Sequence, residues 1–233
     1  MFCVLLVLSC ASPSHAQQHP PVAELLHAFE TTNVFWRQLE IAKAIVAAND
    51  TRVLPKLQSW LIHEDRHLRG NAALIFAGLG HQRGFDVITA ILRDYSERPQ
   101  GQGIPGGRWS VQGQIRADRY YAAHLLGDLK DSRAVPILVA LLNDPDVNYI
   151  VPWSLGQIGH RSAVQPLIGA LNDRNPDMRV LAIHALVELK AHQSLPALRL
   201  LLNDNERSKF DKMESVAEAA RTAMVKLQQP TER

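Results

Sequence analysis

The residues best suited to binding or chemistry form an aromatic set near the middle of the chain. Tyr120 and His124 are four residues apart and therefore share one face of a helix. Tyr149 and Trp153 repeat this spacing in a later segment. Trp, Tyr and Arg side chains supply much of the binding energy at protein interfaces. The predicted residues of a partner-binding site are Arg108, Trp109, Tyr120, His124, Tyr149 and Trp153.

Arg108 and Trp109 belong to the segment 95–114, which is rich in glycine and also contains proline. This composition predicts a long loop, and long loops in compact proteins often recognise ligands. Two interpretations of Trp109 are open. It contacts a partner, or it folds back over the aromatic residues and closes a local cluster.

The densest group of metal-capable side chains is His63, Glu64, Asp65 and His67. A single His-Glu pair at a turn supplies few preorganised ligands, so a solvated turn is favoured over a metal site. The sequence contains no phosphate loop, no nucleophile elbow and no His-Glu-x-x-His motif. We therefore predict no catalytic residue, no metal and no cofactor.

Residues 1–16 carry an apolar run followed by small residues, which is the pattern of a secretory signal. Cleavage before Gln17 would remove both cysteines of the chain, Cys3 and Cys10. The protein is therefore predicted to be exported, either to the periplasm or out of the cell. The alternative is a lipoprotein with a lipid anchor at Cys10, because the preceding residues resemble a degenerate lipobox.

Charge and hydropathy exclude two further classes of protein. The chain has 25 basic and 23 acidic residues, a net charge of +2 and no run of like charges. Nucleic-acid-binding proteins concentrate Lys and Arg on one face, so no nucleic-acid partner is predicted. The N-terminal apolar run is much too short to cross a bilayer, so no membrane span is predicted.

The elements that must position the aromatic set are internal repeats of about thirty residues. Apolar residues recur every three to four positions, and proline falls near the start of most second helices, at Pro55, Pro136, Pro166 and Pro196, where a missing N–H costs least. Such units stack to bury a continuous core. Four segments align in register: Leu68 to Asp94, Asp118 to Asp144, Val147 to Asp173 and Met178 to Asp204.

These repeats predict an all-α fold, a right-handed α-α superhelix of about five helical hairpins plus capping helices. The repeat domain is predicted to span residues 36–228 and to include the insertion loop 95–114. A signal peptide at 1–16, a tail and capping helix at 17–35, and a C-terminal tail at 229–233 complete the division.

A second candidate surface lies on the second helices, at a repeat position that is normally polar. Second helices usually line the concave face of a solenoid, so an apolar row there predicts a groove for a peptide or an amphipathic helix. Tight packing between helices would explain the small residues of this row as well. The row comprises Ala90, Ala140, Gly169 and Leu200 at this position, together with Ile137 from the neighbouring position toward the N-terminus.

Two stretches carry a specific resemblance: RADRYYAAHLLGDLKDSRAVPILVALLND (Arg116 to Asp144) and NYIVPWSLGQIGHRSAVQPLIGALND (Asn148 to Asp173). They are similar to the HEAT-like repeats named from phycobilisome lyases, and the resemblance covers roughly residues 36 to 228. It implies a HEAT-like solenoid in which arginines at one repeat position bond the turn aspartates. The arginines at that position are Arg69, Arg119 and Arg179.

The same resemblance implies lyase action on chromophores of antenna proteins, which are cytoplasmic and would not meet an exported chain. HEAT-repeat deoxyhypusine hydroxylases bind iron through His-Glu pairs, but Gly70-Asn71 and Tyr120-Tyr121 stand at equivalent positions here. The predicted function is therefore a non-catalytic, exported scaffold or adaptor for a protein or peptide partner. The alternatives are a HEAT-like enzyme or enzyme subunit, lyase-like or a metal-dependent oxidoreductase, and an envelope lipoprotein.

Export is tested by the N-terminus of the chain recovered from its native cell envelope. We expect it to begin at Gln17, because the small residues before that position suit a signal peptidase. Lipid labelling that is lost in Cys10→Ser would indicate the lipoprotein instead. An intact Met1 in the cytoplasmic fraction would contradict both forms of export.

Overall fold

Helical hairpins follow one another along the described chain. The structure is a computed structural model that describes residues 21–96, 111–209 and 214–229. Within these ranges the regular structure is helical apart from one isolated β-bridge. Several sequence predictions lie outside the described residues: the signal segment 1–16 with Cys3 and Cys10, the loop residues Arg108 and Trp109, and the end of the tail at 230–233.

Long first helices alternate with short second helices. A turn of 3-10 helix precedes most of the second helices, and proline stands in the first turn of several of them, as the sequence predicts. The helices are α1 Val22–Thr31, α2 Phe35–Ala48, α3 Leu54–Leu57, α4 Arg66–Gly78, α5 Gln82–Leu92, α6 Val111–Leu129, α7 Val135–Val139, α8 Val151–Ile158, α9 Val164–Ala170, α10 Pro176–Glu188, α11 Leu195–Leu200 and α12 Val216–Gln228.

First and second helices follow one another in the chain as five pairs, α2–α3, α4–α5, α6–α7, α8–α9 and α10–α11, with α1 and α12 at the two ends. Each first helix packs on the next, so α2, α4, α6, α8, α10 and α12 form one continuous layer. The core is a single apolar cluster that extends from α1 to α12. The prediction of an all-α, HEAT-like solenoid with capping helices is confirmed.

Buried arginines tie the turns of neighbouring repeats together. The Arg119 side chain is 1% exposed, donates from Nε to the carbonyl of Leu92 at 2.9 Å and pairs with Asp144 at 2.6 Å. Arg179 makes the equivalent ion pair with Asp204 at 3.0 Å. Both arginines therefore bond turn aspartates as the resemblance implies, and charge-assisted bonds of this kind fix the turns.

The helix α6 starts at Val111, inside the segment predicted to be an insertion loop from 95 to 114. Its first turns contain no proline, and Ile115 is buried. Burial of that side chain favours helix over loop, although Gly113 lowers the local helix propensity. The segment with loop composition consequently ends earlier than its glycine content indicates.

No helix among the described ranges is both long and apolar enough to cross a membrane.

Glycine permits the close contact between the two helices of the second hairpin. A Cβ atom added to Gly84 of α5 would lie 2.3 Å from the carbonyl oxygen of Ala73 and 2.3 Å from the amide nitrogen of Ala77, both in α4. Backbone atoms at this distance cannot move aside without shifting a helix. By contrast, a Cβ atom on Gly169 of α9 would meet nothing within 4 Å.

The two glycines make a matched pair of substitutions. We expect Gly84→Ala to lower the free energy of unfolding by about 1 to 3 kcal/mol, because the added methyl group forces α4 and α5 apart. We expect Gly169→Ala to raise it by about 0.5 to 1 kcal/mol, because alanine reduces the entropy of the unfolded chain and nothing opposes it in the helix. Urea denaturation of both variants checks the signs, and equal effects would contradict the packing described here.

Candidate functional site

A cleft of about 1000 Å³ opens on the layer of first helices. Its walls are mostly aromatic and apolar, with a few polar groups, which is the composition of small-molecule sites. Five successive first-helix segments contribute to it. The lining residues are Phe35, His67, Arg116, Ala117, Tyr120, Tyr121, His124, Pro145, Asp146, Tyr149, Ile150, Trp153 and Leu181.

Ring contacts run from one end of the cleft to the other. The rings of Phe35 and His67 stack with centroids 4.6 Å apart, and Tyr121 meets the His67 ring edge-on at 4.8 Å. Further along, the rings of Tyr121 and His124 lie 6.3 Å apart, and His124 stacks on Trp153 at 4.4 Å. These contacts hold the rings in fixed orientations and present an extended aromatic wall.

Side chains from α2 and α6 meet across α4. The Lys43 amino group on α2 lies 3.1 Å from the Asp128 carboxylate on α6. The rings of Phe35 on α2 and Tyr121 on α6 are in edge contact at 5.2 Å. Helices two positions apart in the layer therefore contribute neighbouring rings to the cleft.

Tyr121 is anchored by a buried chain of amide groups. Its hydroxyl donates to Oδ1 of Asn71 at 2.5 Å, and Nδ2 of Asn71 donates to the carbonyl of Phe35 at 2.8 Å and to Oε1 of Gln38 at 3.0 Å. Burial, together with the negative charge of Asp128, raises the pKa of Tyr121 well above its usual value. The phenol therefore stays neutral and serves as a fixed wall of the cleft.

Trp153 reaches the cleft because α6 and α8 approach closely at Gly127. A Cβ atom on Gly127 would lie 2.8 Å from Cα of Ser154 and 3.0 Å from Cζ3 of Trp153. The Ser154 hydroxyl donates to the carbonyl of Ala123 at 2.9 Å, which adds a hydrogen bond between the same two helices. Glycine at this position is therefore required for Trp153 to lie flat on the ring of His124.

Each histidine of the cleft faces a buried carboxylate. Nδ1 of His124 lies 3.3 Å from Oδ2 of Asp128, and Nε2 of His67 lies 3.5 Å from Oδ1 of Asp118. Asp118 is fully buried and also pairs with Arg66 at 3.0 Å. A carboxylate beside one ring nitrogen fixes the orientation of an imidazole.

Opposing influences act on the carboxyl group of Asp128. Burial raises its pKa, but the contact with His124 and the charge of Lys43 outweigh burial and hold the pKa below its usual value. The carboxylate is therefore ionised at neutral pH. It links α2 to α6 through two basic partners at the inner end of the cleft.

Four of the six predicted aromatic-site residues converge on the cleft: Tyr120, His124, Tyr149 and Trp153. The hydroxyl of Tyr149 accepts a hydrogen bond from Nδ2 of Asn175 at 2.9 Å, which orients its ring. Arg108 and Trp109 lie outside the described residues. Whether these six residues bind a partner stays a prediction.

The second-helix row occupies the opposite face. Most of its residues are exposed, Leu200 to 83%, and Ile137 is half-buried. Small, open depressions lie beside Ala90 and Ala140 of this row. Because the row is open to solvent, close helix packing does not account for its small residues, and the peptide groove stays a prediction. The larger cleft lies instead among the first helices.

Sequence reasoning missed several residues that shape the cleft, in particular Phe35, His67, Arg116 and Asp118. His67 was considered only with its chain neighbours, which have other roles: Asp65 caps α4, and the His63 ring stacks on Trp60. Among the described residues no three His, Cys, Asp or Glu side chains are grouped to hold a metal ion. Alignment of the repeats could have found His67, since His67, Ala117 and Asp146 share one repeat position and all three line the cleft.

Comparisons with known proteins identify the repeats and a group of relatives. Residues 118–144 match the PBS lyase HEAT-like repeat, and residues 143–211 match HEAT repeats. The chain is 31% identical over 151 residues to the bilin biosynthesis protein PecE of Mastigocladus laminosus, covering 63% of this chain and 52% of that protein. It is 39% identical over 95 residues to the phycocyanobilin lyase subunit alpha of Picosynechococcus sp., covering 36% of this chain and 35% of that protein.

These matches confirm the resemblance to phycobilisome-lyase HEAT repeats and correct the predicted function. The matched part of the chain spans about half the length of the first relative and about a third of the second. Relatives named as a bilin biosynthesis protein and a lyase subunit contradict the prediction of a non-catalytic scaffold. They favour the alternative, a lyase-like enzyme or enzyme subunit.

The link from Lys43 through Asp128 to His124 makes a pH-dependent contribution to stability. A lowered carboxyl pKa stabilises the fold above the unfolded-state value of about 3.9, and this stabilisation is lost as the pH falls through the lower native value. We therefore expect Asp128→Asn to cost about 1 kcal/mol at pH 7. The difference from the unsubstituted chain should shrink below about pH 4.

Urea denaturation at pH 7 and at pH 3 measures this difference. The control is Glu40→Gln, which removes an exposed carboxylate that pairs with the same Lys43 at 3.5 Å and should change little. An equal loss for both variants, or a loss for Asp128→Asn that is independent of pH, would contradict the role assigned to Asp128.

Proposed function

We propose that this chain, a HEAT-like repeat protein with repeats of the phycobilisome-lyase type, binds a bilin in the aromatic cleft and acts as a bilin lyase or a subunit of one. The observation that carries the proposal is the continuous wall of rings formed by Phe35, Tyr121, His124 and Trp153. The names of the relatives supply the class of ligand.

The shape of the cleft suits an open-chain tetrapyrrole. Such a ligand is a flat, conjugated chain of four small rings, and it gains most from long aromatic surfaces that stack against its faces. The volume of about 1000 Å³ lies at the upper end of the range for small-molecule sites, which leaves room for an extended ligand. Tyr120 and Tyr149 add two more rings on the outer side of the wall.

His124 is the residue best placed to move a proton on a cleft-bound ligand. A lyase makes or breaks a bond by addition or elimination, and both directions require a proton to be given or taken. Nδ1 of His124 is buried beside Asp128, which leaves Nε2 as the ring nitrogen that can reach a ligand. Asp128 holds the ring in its orientation, as carboxylates paired with catalytic histidines do.

The partner in this proposal is a protein that accepts or carries the bilin. Lyase chemistry on antenna proteins needs such an acceptor to reach the ligand, and the cleft is open to solvent along the first-helix face. The word subunit in the name of one relative also favours a second chain in the complex. Export of this chain is a separate proposal, and together the two require an acceptor outside the cytoplasm.

Titration with phycocyanobilin, followed by visible absorption and circular dichroism, tests bilin binding. We expect an induced circular dichroism band on binding, because a fixed wall of rings imposes one twist on the ligand. Trp153→Ala should weaken binding by about tenfold, since it removes one stacking surface of the wall. Trp36→Ala is the matched control, because Trp36 is 55% exposed and does not line the cleft.

Absence of binding at micromolar protein, or equal weakening by both tryptophan variants, would overturn the proposed site. Lyase action needs a second assay that follows bilin transfer to an acceptor protein. There His124→Gln should lower the rate of transfer measured with saturating bilin, in addition to any loss of affinity from the missing ring. A loss of affinity without a loss of rate would contradict the proton-transfer role of His124.

A further inference from the structure

Arg116 is the permanently charged cation that lines the cleft. It lies on the second turn of α6 at the mouth of the cleft, and 56% of its side chain is exposed. Its Nε donates to Oδ1 of Asp146 at 3.0 Å. Among the described residues, Asp146 is the polar partner found for this guanidinium. The N–H groups on both Nη nitrogens of Arg116 are therefore available to a ligand.

Asp146 does not depend on Arg116 alone. Its other oxygen, Oδ2, lies 3.5 Å from Nη1 of the buried Arg119, which also pairs with Asp144. The carboxylate of Asp146 therefore has a second cation and serves to orient Arg116. An arginine held through Nε presents its two Nη nitrogens as a planar fork, the geometry that binds a carboxylate through two parallel hydrogen bonds.

Tyr120 adds a neutral donor on the same face of α6. It is four residues after Arg116 and therefore one helical turn further along the cleft. Burial raises the pKa of its hydroxyl above the usual value, so the group remains protonated at neutral pH. Among the described residues no hydrogen-bond partner is found for this hydroxyl.

We propose that Arg116 is a specificity residue of the cleft, which selects tetrapyrroles with free carboxylate side chains over their neutral esters. This inference rests on the proposed function, because it assumes that a bilin lies along the aromatic wall. Bilins carry two propionate side chains on the central rings, so a ligand stacked on the wall brings a carboxylate to the side of the cleft. Hydrogen bonds from the two Nη nitrogens of Arg116 to that carboxylate then fix the position of the ligand along the wall.

The experiment compares biliverdin, which has two free propionates, with biliverdin dimethyl ester, which has the same conjugated chain. Dissociation constants are measured for the whole protein by visible absorption titration. We expect the diacid to bind about tenfold more tightly than the ester, the size of effect that a hydrogen-bonded charge pair produces. Arg116→Gln should weaken binding of the diacid to the level of the ester and leave the ester unchanged.

Arg133→Gln is the control, since Arg133 is 54% exposed and pairs with Asp131, but lies in the turn of 3-10 helix before α7 and does not line the cleft. This variant should bind both ligands as the unsubstituted protein does. Arg116→Lys should retain only part of the preference, because lysine keeps the charge and loses the fork. Thermal unfolding of the variants confirms that each is folded.

The outcomes separate the two proposals. Equal binding of diacid and ester by the unsubstituted protein overturns the role of Arg116 and leaves the bilin site standing. A preference for the diacid that persists in Arg116→Gln also overturns it. Failure of both ligands to bind overturns the bilin site and this inference together.

Discussion

The close approach of α6 and α8 at Gly127 is the constraint on which the site depends. Successive first helices stack along the whole solenoid, but at this crossing a single methyl group would collide with the backbone at Ser154 and the ring of Trp153. Helices separated by a larger side chain would carry Trp153 away from His124. The aromatic wall therefore depends on how closely the backbones of α6 and α8 pack at this crossing.

Packing alone would give an apolar cleft, and the charged groups beneath the wall make it a candidate for chemistry. Asp118 and Asp128 are withdrawn from solvent, and an isolated carboxylate there would be unfavourable by several kcal/mol. Arg66 offsets this for Asp118, and Lys43 together with His124 does so for Asp128. The same two carboxylates also lie beside the two histidines, so contacts that stabilise the fold also orient rings of the cleft.

The fold was predictable from the sequence because the helical period and the repeat length are local patterns that recur in each unit. Tyr120, His124, Tyr149 and Trp153 were also predictable, since spacing of four and alignment of adjacent units place them together. Phe35 was not, because it precedes the four aligned segments and reaches the cleft through the packing of α2 beside α6. His67 was overlooked because it was considered only with its chain neighbours, although it shares a repeat position with Ala117 and Asp146. The function was predicted as scaffolding because the known catalytic motifs describe loops and elbows, whereas this cleft draws its residues from five helices and the turn before α8.

Because several repeats contribute to one aromatic wall, a change in repeat number has a consequence for the site. The rings of the aromatic wall come from four successive first helices, α2, α4, α6 and α8, and packed helices lie about 8 to 10 Å apart. Under the proposed function, adding or removing one hairpin would therefore lengthen or shorten the wall by one such step. The number of repeats beneath the wall would then set the length of the ligand that the solenoid accommodates.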